Sequence, residues 1–302
     1  MLDRARYRVT MLRSYLSALP KLANAHVRAE ATLRLQRLAQ VPAFVTYRSR
    51  YLNVYHCCIG RTGSQWLRRL FSDFRIYRLS GLRTYTYQHT WPGRIDPRLL
   101  TERTFDHPFP AQRIVTPLYF SFDNFRDLPK PDRYRACFVY RNPRDIVVSG
   151  YFLRRNTDTL GNTAEDRAYL QRATEEEGLL YIIDRAERRG VFEAFRSWSD
   201  AGSADENVKL FRFEDLTGPD GFHAIEELIA SCDIALDEPK LRSLLERTSF
   251  RRLSGGRGRG QADKASHYRS GVSGDWARYF TPRVEERFDE AAGDLLRLFR
   301  YE

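Results

Sequence analysis

Apolar positions along this chain recur with helical spacing in some stretches and in short unbroken runs in others, and the changes mark its elements. Met11, Leu12, Tyr15, Leu16 and Leu19 share one helical face, with Arg6, Arg8 and Arg13 elsewhere. Pro20 breaks this helix or opens a second one, which runs through Leu33, Leu35 and Leu38 toward Pro42. From Tyr51 the texture changes. Leu52–Ile59 is a short, mostly apolar run that predicts a strand, and after Gly60-Arg61-Thr62-Gly63-Ser64 a helix presents Trp66, Leu67, Leu70 and Phe71 on one face. Arg113–Thr116, Ala136–Tyr140 and Val208–Phe213 predict further strands. Helices are expected around residues 222–232 and 238–247, and a last one opens at Thr281-Pro282 with Phe288, Ala292, Leu295 and Phe299 inward. Alternating strands and helices imply an α/β fold with a central, mainly parallel sheet. No internal repeat is visible.

Two of the turns carry chemistry. A strand, a Gly-containing turn and a helix N-terminus in that order predict an anion site after residue 59, because free N–H groups and the helix dipole converge there. The turn GRTGSQW lacks the Gly-Lys-Ser/Thr of a Walker A loop. At Arg141-Asn142-Pro143-Arg144-Asp145, Asn142 reads as an N-cap, Pro143 as the first helical residue and Asp145 as a capping carboxylate. Arg141 therefore stands at the carboxyl end of a strand, where ligands of parallel sheets sit. Residues 78–112 are irregular and rich in aromatics (Tyr85, Tyr87, Trp91, Phe105, Phe109), which marks a functional segment.

Composition changes the picture in one respect. The 302 residues carry a formal charge of +11, and only five of the fifty basic side chains are Lys. A nucleic-acid partner is the first thought, but residues 1–50 alone hold +8 and the other 252 only +3. The excess thus belongs to a basic helical N-terminal extension, residues 1–50, ahead of a domain spanning 51–302. That extension reads either as a peripheral contact with anionic membrane or a partner, or as a helix docked on its own domain. No run of eighteen apolar residues predicts a spanning helix, and no apolar leader segment opens the chain. Cys57, Cys58, Cys137 and Cys232 have neither zinc-site nor disulfide-scaffold spacing, so a reducing, cytoplasmic setting and no metal are expected.

Further segments keep company with the first turn. Tyr140-RNPRDIVVSGYF brings Arg141 and Ser149, and His267-YRSGVSGDW brings Arg269, Ser270, Gly271, Gly274 and Trp276. Between them stand Phe213 in FRFEDL and Thr248 and Phe250 in RTSF. In order and spacing these blocks resemble the sulfotransferases that use 3′-phosphoadenosine 5′-phosphosulfate (PAPS), of the cytosolic type and its bacterial relatives, over roughly residues 51–290. The resemblance implies a P-loop NTPase-like three-layer fold. It implies transfer of a sulfonate from PAPS to a hydroxyl or amine of a small-molecule, glycan or lipid acceptor, with 3′-phosphoadenosine 5′-phosphate (PAP) as product and no metal. It also implies residue roles. Arg61, Thr62, Gly63, Ser64, Gln65 and Trp66 form the 5′-phosphosulfate loop, with Arg61 in place of the family's Lys. Arg141 and Ser149 grip the 3′-phosphate, and Arg269, Ser270 and Gly271 close on it. Trp66, Phe213, Thr248 and Phe250 pack the adenine.

Departures from the family are equally legible. The family's catalytic His belongs to a Lys-x-His-Leu-Pro-like stretch, which here reads Arg113-Ile-Val-Thr-Pro-Leu-Tyr119 without His. His107, His89, Asp123 and Tyr119 stand as candidate bases. The family's dimer motif is half missing, reading Ala277, Thr281-Pro282 and Glu286. Gly255-Gly-Arg-Gly-Arg-Gly260 reads as a lid over the nucleotide rather than an RNA-binding segment. A P-loop-like kinase, or a nucleotide-binding relative without catalysis, are the rival classes.

Overall fold

The computed structural model describes residues 44–92, 96–157, 164–266 and 268–302, so the helices expected within residues 1–43 lie outside it. Five strands, β1 (Asn53–Cys58), β2 (Arg83–Tyr85), β3 (Arg113–Tyr119), β4 (Tyr134–Tyr140) and β5 (Val208–Arg212), form one sheet in the order β2-β3-β1-β4-β5. Every pairing is parallel. Such a sheet is covered on both faces, which is why β1 reads as an unbroken buried run. Tyr55, Cys57, Val115 and Phe138 enter one core, and Val54, Ile114, Cys137 and Val139 the other.

The helices that position the site are α1 (Ser64–Phe71), α2 (Phe122–Asp127), α3 (Pro143–Phe152), α4 (Glu175–Arg188), α5 (Gly221–Ser231), α6 (Glu238–Arg247) and α7 (Pro282–Ala292). Val147 of α3, Ile182 of α4 and Phe288 of α7 fill the first core. Leu67 of α1, Ile225 of α5 and Leu244 of α6 fill the second. The result is the three-layer α/β arrangement expected. The connection leaving β1 runs toward β2 at one edge, and that leaving β4 runs toward β5 at the other. The crevice between them at the carboxyl ends of β1 and β4 is a topological switch point.

The structure departs from the sequence expectations in four places. β3 does not stop at Thr116: it continues through Pro117, with one extra residue accommodated opposite Tyr55 and Cys57, because Pro has no ladder N–H to give. Asn142 does cap α3, its side chain accepting from Arg144 N, but Asp145 does not cap. Instead it accepts from Gly274 N at 2.8 Å and Trp276 N at 3.2 Å, joining α3 to the last loop. The aromatic segment 78–112 is mostly core: Tyr85, Tyr87, Phe105, Phe109 and Phe120 meet ring to ring at 4.9–6.4 Å. Finally, residues just before 51 are bonded to the domain. Thr46 N and Ser49 N donate to Arg78 O and Ser80 O, both at 2.8 Å, and Tyr47 Oη donates to Asp233 at 2.8 Å.

Candidate functional site

The turn after β1 is built on positive backbone angles. Gly60, Arg61 and Gly63 have φ of 103°, 59° and 76°, a conformation that turns successive N–H groups inward and that a non-glycine residue adopts only at a cost. Gly63 is the N-cap of α1 and offers no side chain there. A Cβ at Gly63 would sit 2.5 Å from the Phe213 ring, so the close approach of loop and ring requires glycine. The first N–H groups of α1 thus open, with the positive end of its dipole, onto the switch-point crevice.

That crevice is a cavity of about 810 Å³, the size of a nucleotide site. Arg61, Arg68, Arg69, Arg141, Arg259 and Arg269 all line it, and no Asp or Glu is among the described residues that do. Six cations without a lining carboxylate define a site for a multiply charged anion. The carboxylates stand behind the arginines and hold them. Asp145, itself buried, lies 3.3 Å from Arg141 Nη2, and Asp275 pairs with Arg269. Arg141 also lies over the Phe213 ring at 4.9 Å, with its buried Nε left without a hydrogen-bond acceptor. Arg61 Nε and Nη2 both donate to Ser149 Oγ, at 3.0 and 2.8 Å. Burial, and then the neighbouring Arg141 and Arg154 charges, lower the Arg61 guanidinium to about 10. The site therefore holds its charges against their own repulsion.

Aromatic walls complete the cavity. Trp66 and Phe213 meet edge to face at 6.5 Å, and Phe250 also lines the cavity with its ring against Gly271, where a Cβ would fall 2.5 Å from Phe250. The Gly/Arg segment is fastened down rather than free. Arg257 donates to Tyr268 O at 2.7 Å and Arg269 O at 2.9 Å, and Gly260 N donates to Ser270 O at 2.8 Å. Arg259, held by the Thr217 carbonyl, is thereby brought to the cavity wall.

Most of the residues expected from sequence meet here: Arg61, Gly63, Ser64, Gln65 and Trp66 from the first turn, Arg141 and Ser149 from β4 and α3, Phe213, Phe250 and Arg269-Ser270-Gly271 from the later loops. Thr62 and Thr248 do not line it; both are buried, and the Thr248 hydroxyl donates to Leu244 O at 2.9 Å. His107 and Asp123 are not brought there either. The turn that carries His107 sends Phe105 and Phe109 inward and leaves the imidazole exposed. Asp123 lies exposed in the first turn of α2, 3.5 Å from Arg126. His89, at the end of the 3₁₀ turn Tyr87–His89, does line the cavity, as does Tyr119. The Tyr119 hydroxyl meets Ser64 Oγ at 2.9 Å and accepts from Gln65 Nε2 at 3.3 Å, and burial pushes its phenol up, so the hydroxyl stays protonated. Arg259 comes from the Gly/Arg segment expected to cover the nucleotide, whereas Arg68 and Arg69 are lining residues that the motifs do not point to. Their position one helical turn beyond Ser64 was the available signal.

A phosphate-type loop before a helix, arginines at the ends of two neighbouring parallel strands and aromatic walls define an α/β protein with an anion-binding cavity at its switch point. The particular family follows from comparison. Residues 57–300 match the sulfotransferase domain, and the chain belongs to that family. It is 28% identical over 181 residues to sulfotransferase 2A1 of Homo sapiens, which covers 56% of this chain and 60% of that relative. With the 3-alpha-hydroxysteroid sulfotransferase of Cavia porcellus it shares 26% over 230 residues, 70% of this chain and 69% of the relative. The chain spans between half and two thirds of the length of the first of these and of sulfotransferase 2A2 of Mus musculus, at 54%. Mouse sulfotransferase SULT7A1 complexed with PAP has the same fold, with a TM-score of 0.56 at 18% identity over 87% of this chain and 92% of that one. Among the described residues no helix is long and apolar enough to cross a membrane, and no group of His, Cys, Asp and Glu is placed to hold a metal ion.

Proposed function

We propose that this chain is a PAPS-dependent sulfotransferase that moves a sulfonate onto a hydroxyl of a small-molecule acceptor. The observation that carries the reading is the six-arginine cavity without a lining carboxylate, opened by the N-terminus of α1. Family membership supports it, as do a relative named for hydroxysteroids and a neighbouring fold complexed with PAP. The residues present fit such a nucleotide. Glycines 63 and 271 let the Phe213 and Phe250 rings pack directly on the loop backbone beside the cavity, and Arg141 keeps an unsatisfied buried donor.

The α1 N–H groups, Ser64 and Gln65 would hold the 5′-phosphosulfate, Arg141 and Ser149 the 3′-phosphate, and Trp66, Phe213 and Phe250 the purine. Bound PAPS supplies an activated sulfonate and a phosphate leaving group. Arg61, fixed by its two bonds to Ser149 Oγ, is placed to stabilise the charge that grows on the leaving oxygen. Arg for Lys keeps the charge there but spreads it over a planar fork. The Tyr119 hydroxyl, bonded to Ser64 and Gln65, keeps a neutral polar group beside the same loop. Of the imidazoles among the described residues, His89 is the one that lines the cavity, and we assign it to take the acceptor proton. All four Cys are buried and free, which supports a reducing, cytoplasmic setting.

Incubation with labelled PAPS and a panel of phenols and hydroxysteroids tests the reading. Label should appear on at least one acceptor, and His89→Gln should slow transfer by ~10²–10⁴-fold without weakening PAP binding. Absence of label on every acceptor, from protein that binds PAP, would instead favour a non-catalytic relative.

A further inference from the structure

Three arginines lie together at the end of the sheet opposite the nucleotide cavity. Arg83 and Arg113 are the first residues of β2 and β3 and stand directly across from each other in the parallel register. Like charges in that position repel and are disfavoured unless a counter-charge joins them. Arg48 completes the group: Ser49 N→Ser80 O pins its segment to the turn before β2, and its guanidinium lies beside Gly81. With Tyr77 and Gln112 these three line a second cavity of about 600 Å³. Among the described residues, none of the three has a carboxylate partner.

The local geometry keeps the charges where they are. Arg113 Nη1 is held by the carbonyls of Ala111 and Gln112 at 3.1 and 3.0 Å, and Arg83 lies over the Tyr77 ring at 5.9 Å. Gln112 and Gly81, on the two flanking turns, have φ of 58° and 71°, so both turns are fixed in shape. Burial and then the Arg83 charge lower the Arg113 guanidinium, as expected for cations crowded without a counter-ion. Residues 1–43 supply Asp3 and Glu30 against eight basic side chains, so that segment adds net positive charge.

We infer that Arg48, Arg83 and Arg113 form a second anion site, for a phosphate- or sulfate-bearing group, separate from the nucleotide cavity. A strand of six or seven residues spans ~20 Å, which keeps the two sites apart. The chemistry suits a soluble phosphoester and a phosphorylated lipid headgroup equally, and the test separates these sources.

Titration of the full chain with inorganic pyrophosphate is run on Arg141→Gln, which impairs the nucleotide cavity, so failure here is distinct from failure of the PAPS reading. Saturable binding is expected, weakened roughly tenfold by adding Arg83→Gln or Arg113→Gln, since each removes one charge-assisted contact. A thermal measurement guards against misfolded variants: Arg113→Gln alone should raise the Tm without anion and shrink the stabilisation that pyrophosphate gives. Co-sedimentation with phosphatidylcholine vesicles, with and without phosphatidic acid, assigns the source. Capture by the acidic vesicles that is lost in Arg83→Gln indicates a lipid headgroup, and pyrophosphate binding without such capture indicates a soluble ligand. No pyrophosphate binding, or binding unchanged in both second-site variants, overturns the inference.

Discussion

Arg61 concentrates the site's conflict in one side chain. It has a left-handed backbone angle of 59°, it is lowered to about 10 by burial and by neighbouring arginines, and two of its nitrogens donate to Ser149. A cation held below its usual value costs the free protein stability at neutral pH, and the deficit shrinks only as the pH rises through 10. Arg61→Met should therefore raise the Tm of the ligand-free protein while slowing sulfonate transfer by ~10²-fold or more, the cost of one donor aimed at developing charge. Melting curves and initial rates on the same preparations check both halves. The anion-binding shape of the turn GRTGSQW was legible, because a turn between a strand and a helix is a local feature, whereas the role of Arg61 in it rests on the family resemblance. The roles of His89 and Tyr119 were not separable from those of His107 and Asp123, because only the tertiary fold decides which loop residue faces the cavity.

At the scale of elements, the turns do the precise work. Gly63 and Gly271 combine φ of 76° and 68° with ring contacts that exclude a Cβ, 2.5 Å from Phe213 and Phe250 respectively. Gly63→Ala and Gly271→Ala should each cost ~1–2 kcal/mol of stability from the backbone angle and, by displacing the rings, weaken PAP binding more than a surface Gly256→Ala does. Chemical denaturation and titration would separate the two effects. The helix beginning at Pro143 was legible because Asn-Pro is a local signal, and so was α7 at Thr281-Pro282. Two elements were not. β2 has three residues, too few for a period to show. The start of α4 is marked by a capping box from Thr174 to Glu177, but its polar first turn blends into the polar stretch before it. Asp145 misled for a different reason: its partners are 129 and 131 residues away in the last loop, so no local pattern could reveal them.

At the scale of the molecule, the charge of +11 divides into unlike parts. The nucleotide cavity takes six arginines, residues 1–50 carry +8 of the net charge, and one of that segment's arginines, Arg48, joins Arg83 and Arg113 at the far end of the sheet. The division at residue 51 also bears on truncation. Residues 46–50 are bonded to the domain through Thr46, Tyr47 and Ser49, with Arg50 N donating to Asp233 at 2.5 Å. A chain beginning at residue 44 should retain the domain's stability, whereas one beginning at 51 should lose about 1–3 kcal/mol, the worth of a few partly exposed hydrogen bonds. Urea unfolding of the two truncations decides it.

The central claim is that this crevice binds a 3′-phosphorylated adenine nucleotide through Arg141, and isothermal titration with PAP tests it most directly. The wild type should bind, and Arg141→Ala should bind about 10- to 100-fold more weakly, the loss of a charge-assisted contact worth ~1.5–3 kcal/mol. No binding by the wild type, or undiminished binding by Arg141→Ala, would contradict it.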